Sequence, residues 1–190
     1  MWLSINDMIL SSSNSIRSYS YLVKKVVFPV DIIPVISIIS SSVVAIFLFI
    51  ISIIVCSIFG FLPNILMLIY MFICLYALIF SITRITSALT TLVPDFGQLL
   101  NIFMQLFFWF TPIIWNLNML DNHLLWQKIF KSMPFTYLVT GFRQAFTGEG
   151  CVITEYGGKI TFIFWAFTII AFVWGNHVFK KGKKDFADVL

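Results

Sequence analysis

The chain has 190 residues, of which 60% are hydrophobic and only 11% are charged, whereas soluble domains carry about 25% charged residues. Its formal net charge is +4 and its basic residues collect near the two ends, so it lacks the clustered basic face of nucleic-acid-binding domains and we expect no nucleic-acid partner. This composition argues against a soluble domain and indicates an all-α polytopic membrane protein.

Residues 1–34 precede the first long apolar run, and they do not show the basic head, apolar core and cleavage site of a signal peptide. We interpret them as the cytoplasmic end of a preceding helix followed by a short basic segment. Pro29 and Pro34 both disfavour helical geometry in the residue before them, so the chain turns there. The basic segment is either an anchor that fixes topology or a short helix along the cytoplasmic face.

Four apolar runs approach the length of about 20 residues that a spanning helix needs. Within a transmembrane domain of residues 35–179, we predict spans near residues 35–59, 65–89, 98–117 and 160–179. Gly60 and Pro63 separate the first two, which predicts a tight antiparallel pair. Lys and Arg flank the first and last spans, so the positive-inside rule places both ends, including the basic tail of residues 180–190, in the cytoplasm.

The external segment of residues 118–159 contains two amphipathic stretches within residues 122–147. Apolar residues recur in them at helical spacing, Pro134 separates them, and Gly148 ends the second. Stretches this short cannot cross a bilayer. They are either re-entrant gate helices shielded by protein or helices lying flat on the outer surface, and the amphipathic pattern favours re-entrant helices.

No catalytic or metal-binding pattern is visible in the sequence. It lacks the G-x-x-x-x-G-K-[ST] phosphate loop, and its cysteines show no metal-ligand spacing. His123 and His177 fall at opposite ends of the predicted topology, while Asp31 and Asp95 stand alone in the sequence. We therefore expect no enzymatic activity, no metal and no cofactor, with any ATP hydrolysis supplied by a separate subunit.

Four stretches in order form a family pattern. They are SYSYLVKKVVFPVDIIP at residues 18–34, FFWFTPIIW at 107–115, SMPFTYLVTGFRQAF at 132–146 and FADVL at 186–190. Together they resemble the membrane (permease) subunits of ABC-type polysaccharide exporters, ABC-2 permeases that move O-antigen, capsular polysaccharide or teichoic acid. One stretch alone would be weak, but four in the right order over most of the chain make the resemblance specific.

The chain also departs from that family. Such subunits usually have six spans, and the resemblance starts inside the second. We therefore expect an N-terminally truncated subunit without the interface helix, the first span and most of the second. Ser132 and Met133 replace the usual Asn before Pro134, and Val93-Pro94-Asp95 stands where an Arg-Asp pair is common. A wrongly assigned start, a degraded copy and a split subunit all stay open.

The resemblance implies that the basic segment is a coupling helix that rests in a groove of a separate ABC ATPase. The candidate coupling residues are Tyr21, Leu22, Lys24, Lys25, Phe28 and Pro29. Lys24 and Lys25 would pair with ATPase carboxylates or lipid phosphates, and Tyr21 and Phe28 would supply the apolar anchor that interfaces favour. Pro29 would stiffen the joint, so that closure of the ATPase moves the first span as a rigid body.

The resemblance further implies a homodimer that encloses the path of a lipid-linked glycan. The candidate path and gate residues are Phe107, Phe108, Trp109, Pro112, Trp115, Pro134, Tyr137 and Arg143. Aromatic rings stack on the apolar faces of sugars, although they also suit an interfacial aromatic belt. A kink at Pro112 would open room. Arg143 would meet a glycolipid phosphate or, as we favour, pair with Glu149 or Glu155.

We therefore predict a permease subunit of an ATP-driven exporter, surrounded by membrane lipids in the bacterial cytoplasmic membrane. One rival is an ABC-2 permease for a drug or lipid, which would need a lateral apolar pocket. A second is a membrane-embedded glycosyl- or acyltransferase, which would need paired carboxylates or a His/Asp cluster. A third is a membrane fragment without transport of its own.

Overall fold

The computed structural model describes residues 1–21, 29–115, 117–120, 124–148, 150–155, 157–184 and 186, called the described residues below. They form helices α1 (Trp2–Ser18), α2 (Ile33–Ile58), α3 (Ile65–Leu92), α4 (Phe96–Phe110), α5 (Leu124–Ser132), α6 (Pro134–Thr147), α7 (Val152–Glu155) and α8 (Gly157–Gly182), with 3-10 turns at Val30–Ile32 and Leu117–Leu120. Because the described residues contain no strand, the all-α prediction is confirmed.

Three stretches are long and apolar enough to cross a bilayer: Val30–Ile58, Ile65–Leu92 and Gly157–Gly182. They contain α2, α3 and α8, and they match the predicted spans near 35–59, 65–89 and 160–179 to within a few residues. Asn64 starts α3 because its side chain accepts a hydrogen bond from the backbone N–H of Met67 at 3.1 Å, which caps the helix. The multi-pass membrane fold follows from these helices.

The third predicted span, residues 98–117, differs in the structure. Its helix, α4, has 15 residues and ends at Phe110, where Thr111 adopts an extended backbone. Thr111 precedes Pro112, whose ring disfavours the helical conformation in the residue before it. A helix of 15 residues is about 22 Å long, which is less than the hydrocarbon core of about 30 Å. Whether α4 with its following turn completes a fourth span stays a prediction.

Helix α1 lies within the bundle, whereas we predicted residues 1–34 to be the cytoplasmic end of a preceding helix followed by a short basic segment. It packs along α2 and α3, and Ile5, Met8, Ile9 and Ile16 are completely buried. The sequence analysis did not recognise α1 as a helix of the bundle because its serines lower its mean hydropathy. A serine hydroxyl in a helix can bond the carbonyl four residues earlier, which lets a serine-rich helix enter an apolar environment.

Hydroxyl groups join α1 to α3. The Ser12 and Thr83 hydroxyls lie 3.0 Å apart, and those of Ser13 and Thr86 lie 2.6 Å apart. Thr90 donates to the Ser13 carbonyl. Such interhelical hydrogen bonds contribute about 0.6 kcal/mol each in membranes, with values up to about 2 kcal/mol. The contact therefore fixes the register of α1 against α3 more than it adds stability.

Close backbone packing joins α3 to α8. A Cβ at Gly175 would lie 2.9 Å from the Cβ of Arg84 and 3.1 Å from the carbonyl oxygen of Ser81. Small residues at such positions let two membrane helices approach closely. α3 thus contacts α1 through hydroxyls and α8 through a glycine, and it forms the centre of the bundle.

Helices α5 and α6 confirm two predicted amphipathic helices separated by Pro134. Pro134 is the first residue of α6, and Gly148 ends it with a left-handed backbone at φ 71°, as expected for a glycine after a helix. Tyr137, Leu138 and Phe142 are buried against the rest of the protein. The N–H of Asn64 donates to the Ala145 carbonyl at 2.9 Å, so α6 is joined to the start of α3.

Candidate translocation path and coupling site

One end of the bundle, called the charged end, is defined by Asp31, Arg84 and Lys183. Asp31 stands alone in the sequence, yet its carboxylate accepts hydrogen bonds from Arg84 at 3.4 Å and from Lys183. Arg84 also lies over the Phe179 ring at 5.0 Å from its centroid, a cation–π geometry. These contacts connect the turn before α2 to α3, about two turns before its end, and to the end of α8.

A small apolar cluster lies beneath these charges. Ile16, Val30, Ile33, Ala88, Phe179 and Phe186 are all buried in it. The Phe179 and Phe186 rings meet edge to face with centroids 5.6 Å apart. The cluster unites residues from α1, the turn at Val30–Ile32, α2, α3, α8 and the tail. The cluster therefore packs the turn at Val30–Ile32 directly against several helices.

The predicted coupling segment leads into the charged end. Leu22, Lys24, Lys25 and Phe28 fall outside the described residues, so their predicted roles stay predictions. Tyr21 is exposed, with its ring centroid 6.4 Å from that of Tyr19. Pro29 has an extended backbone and precedes the turn that carries Asp31. The segment thus runs from an exposed tyrosine to a proline next to the buried cluster.

The opposite end of the bundle, called the aromatic end, brings most of the predicted path residues together. Trp2 packs edge to face on Phe135, with centroids 5.6 Å apart, and its ring lies 6.2 Å from that of Phe108. Phe107 also contacts Phe135, at 5.3 Å. Trp109 is 68% exposed. Phe107 therefore packs inside the subunit, while Phe108 and Trp109 border its surface.

Arg143 caps the turn after α4. Its guanidinium donates to the carbonyl oxygens of Pro112 at 2.8 Å and Ile113 at 3.2 Å. These carbonyls follow the end of a helix, where backbone acceptors lack intrahelical donors. Pro112 is buried here. The predicted pairing of Arg143 with Glu149 or Glu155 involves side chains outside those described, and it stays a prediction.

Trp115, which follows Pro112 in the chain, contacts both α4 and α5. Its indole N–H donates to the Trp109 carbonyl at 3.1 Å, and its ring packs edge to face on Phe130 of α5 at 5.4 Å. Trp115 is therefore a link between α4 and α5. Its role as a path residue is not tested by this contact.

Tyr137 lies inside the subunit. It is 1% exposed and stacks on Phe164, with ring centroids 4.7 Å apart. Its hydroxyl lies 3.1 Å from that of Tyr70 and 3.3 Å from that of Thr161. Trp165 donates to Tyr70 at 3.3 Å. Tyr137 therefore packs α6 against α3 and α8 and does not face an open cavity of the subunit.

Two surface cavities, which the sequence analysis missed, lie along α1 and are together called the groove below. One lies between α1 and α4, and the other between α1 and α2. The first, of about 270 Å³, is lined by Trp2, Leu3, Asn6, Met104, Gln105, Phe108 and Trp109. The second, of about 410 Å³, is lined by Asp7, Leu10, Ser11, Asn14, Ser15, Ser18, Tyr19 and Ser37.

Amide side chains on one face of α4 extend the polar surface beside the groove. Gln98, Asn101 and Gln105 are exposed, and positions three and four apart share one face of a helix. Asn14 meets α4 at Gly97, where a Cβ would lie 3.1 Å from the Asn14 amide oxygen. The sequence signal was the spacing of amide side chains at 98, 101 and 105, which an apolar run obscured.

The comparison with protein families decides the class. Residues 1–147, from α1 to the end of α6, match the ABC-2 type transporter family. The chain belongs to the ABC-2 type transporter family. A comparison with curated proteins gives no match. This ABC-2 protein is therefore a membrane-embedded transport component rather than an enzyme, and permeases of its family generally work with an ABC ATPase partner.

Proposed function

We propose that this protein is the permease subunit of an ATP-driven exporter that moves a lipid-linked polysaccharide across the bacterial cytoplasmic membrane. The observation that carries the proposal is the groove along α1. Its two cavities combine the polar side chains of Asp7, Ser11 and Asn14 with the rings of Trp2, Phe108 and Trp109. Polar side chains beside membrane-spanning helices cost free energy if they face lipid. We therefore assign the groove to a translocation path.

The chemistry of the groove suits a sugar chain. Asn and Gln side chains both donate and accept hydrogen bonds, which matches the many hydroxyl groups of a glycan. The aromatic rings at one end suit the apolar faces of sugar rings. O-antigen, capsular polysaccharide and teichoic acid all offer such hydroxyls. Phe108 and Trp109 are then the exit residues, while Arg143 holds the turn at Pro112 beside them.

We place the charged end in the cytoplasm and the aromatic end outside, with an ABC ATPase bound at the coupling segment. A homodimer would enclose the groove between two copies, since closed two-fold pairs are the commonest assembly. Cysteine labelling tests the orientation. A membrane-impermeant thiol reagent should reach Gly150→Cys from outside intact cells and should not reach Lys184→Cys. Labelling of position 184 would reverse the topology.

An export assay tests the function itself. The full chain and its ATPase are expressed in a bacterium that lacks its own exporter but makes a polyprenyl-linked glycan, and surface glycan is measured. Replacing Asn101 and Gln105 together by Leu should lower export about tenfold, as expected when contacts worth about 1.4 kcal/mol are lost. Ile102→Leu, exposed on the same helix, is the matched control. Unchanged export by the double variant at normal membrane levels would contradict the path.

A second candidate function, export of a drug or lipid, is favoured by a different cavity. An apolar pocket of about 310 Å³ opens between α2 and α3 and is lined by Ile46, Phe49, Ile50, Ile53, Phe72 and Tyr76. Efflux of a fluorescent apolar dye that falls with Phe72→Ala, together with no surface glycan, would establish this alternative over polysaccharide export.

The coupling segment gives a test of ATPase partnership. Charge reversal by Lys24→Glu with Lys25→Glu should weaken copurification of the ATPase, because it places repulsive charges at the contact. Pro29→Ala should leave copurification intact but separate ATP hydrolysis from export, because the joint before Asp31 becomes softer. If both variants export normally at wild-type levels, the segment is only a topological anchor.

A further inference from the structure

We infer that the groove admits glycans that are uncharged or carry amino groups and disfavours polyanionic ones, and that Asp7 is the residue that sets this preference. The inference rests on the proposed export function and deepens it. Polysaccharide substrates divide into neutral chains, chains with amino sugars and chains with phosphate or carboxylate in every repeat. The carboxylate of Asp7 is placed where it can distinguish them.

Asp7 lies near the middle of the bundle in depth. The Ser11 hydroxyl donates to the Asp7 carbonyl at 2.6 Å and lies 3.0 Å from the Ser41 hydroxyl of α2. Ser41 is about 12 Å along α2 from its first residue, and Asp7 lies one turn of about 5 Å further. Since α2 has 26 residues and is about 39 Å long, Asp7 is close to its midpoint.

The Asp7 side chain is directed outward into the groove. It is exposed and lines the larger of the two groove cavities. Both ion pairs among the described residues involve Asp31, so within that part of the chain Asp7 has no cationic partner. A carboxylate at this depth is expensive in lipid and occurs where it faces a polar cavity or a partner. We therefore infer that water fills the groove at Asp7.

The side chains around Asp7 determine what it attracts. An ionised carboxylate only accepts hydrogen bonds, and its lining partners Ser11, Asn14 and Ser18 are uncharged. Sugar hydroxyls and ammonium groups donate hydrogen bonds, so they satisfy the carboxylate. A phosphodiester or uronate has only acceptors on its charged group, and its negative charge is repelled. Among the described residues that line this cavity, Asp7 alone is charged, so the cavity carries one sign of charge and attracts ions of the opposite sign.

The first experiment measures charge selectivity without a glycan. In the full chain with Cys56, Cys74 and Cys151 replaced by serine, Ser11→Cys is labelled with two methanethiosulfonates of similar size, one carrying trimethylammonium and one carrying sulfonate. With Asp7 present, the cationic reagent should react at least about tenfold faster, relative to the same ratio at Gly150→Cys. Asp7→Asn should bring the ratio down to that of the control site. Equal rates with Asp7 present, or no labelling at position 11, would overturn the inference.

The second experiment uses export. The same strain background makes a neutral, an amino-sugar or a phosphodiester-linked polyprenyl glycan, and surface glycan is measured for each. We expect at least about tenfold less of the phosphodiester polymer, and Asp7→Lys should reverse that order, whereas Asp95→Asn should not. Equal export of the three polymers would overturn the inference. If none of the three is exported while the thiol ratio depends on Asp7, the proposed function fails and the charge preference stands.

Discussion

The two ends of the bundle are held by different kinds of contact. At the aromatic end, Gly148, Arg143 and Asn64 act through backbone groups: a left-handed glycine, two capped carbonyls and one N–H to carbonyl bond. At the charged end, Asp31 contacts Arg84 and Lys183 through flexible, partly exposed side chains. Backbone contacts fix one geometry, whereas ion pairs between long side chains can be exchanged. We therefore expect the aromatic end to keep one geometry and the ion pairs of the charged end to rearrange.

The largest expected effect tests the fixed end. At Gly148, φ is 71° and an added Cβ would overlap the carbonyl oxygen of Leu62. Gly148→Val therefore combines backbone strain of about 1–2 kcal/mol with a steric clash against backbone. We expect a loss of more than about 2 kcal/mol, seen as a lower unfolding temperature in detergent and a lower membrane level.

The matched control for this substitution is Gly158→Ala. Nothing lies within 4 Å of a Cβ at Gly158, and it is inside α8, where alanine is preferred over glycine. We expect an unchanged or slightly higher unfolding temperature. If Gly148→Val is tolerated as well as the control, the aromatic end is not rigid.

An intermediate effect on stability is expected at Arg143, where two substitutions separate the contribution of charge from that of side-chain geometry. Arg143→Gln should lower stability by about 1 kcal/mol, because the carbonyls of Pro112 and Ile113 lose a charged donor. Arg143→Lys keeps the charge but replaces the planar guanidinium, whose Nη2 group donates to both carbonyls, by a flexible ammonium. We expect an intermediate unfolding temperature for the lysine variant. A lysine variant as stable as wild type would show that charge alone matters there.

The smallest effect on stability is expected at the charged end. Asp31→Asn removes two ion pairs whose side chains are 23% to 41% exposed, and such pairs contribute at most about 1 kcal/mol. A double-mutant cycle of Asp31→Asn with Arg84→Gln measures their interaction in unfolding experiments at low and high salt. We expect an interaction that shrinks as salt rises. A salt-independent value above about 2 kcal/mol would mean that the charged end is as fixed as the aromatic end.

The long apolar helices could be predicted from the sequence because their signal is local. Uninterrupted apolar runs identified α2, α3 and α8, and Pro134 with Gly148 bounded α6. Helix α1 was missed as a bundle helix because its serines satisfy their hydroxyls within the fold, which no hydropathy average records. α4 ends at Phe110, seven residues before the predicted end of its span, because Pro112 disfavours the helical conformation at Thr111.

The candidate sites were less predictable because they depend on distant contacts. Asp31 pairs with Arg84 and Lys183, which are 53 and 152 residues away in the chain. The aromatic run at 107–115 was recognised, but the sequence did not reveal that Phe107 faces Phe135 while Trp109 faces outward. The groove requires α1 to lie beside α4 at one cavity and beside α2 at the other, which the sequence analysis did not predict.

The hydroxyl contact between α1 and α3 has a consequence for biogenesis. Segments insert into the bilayer according to their own hydrophobicity. By that measure α1 inserts poorly, because it contains Ser4, Ser11, Ser12, Ser13 and Ser15. Its best partners, Thr83, Thr86 and Thr90, are made about 70 residues later in the chain. The hydrogen bonds between α1 and α3 can therefore form only after α3 has entered the membrane, so α1 completes its packing later than its place in the chain suggests.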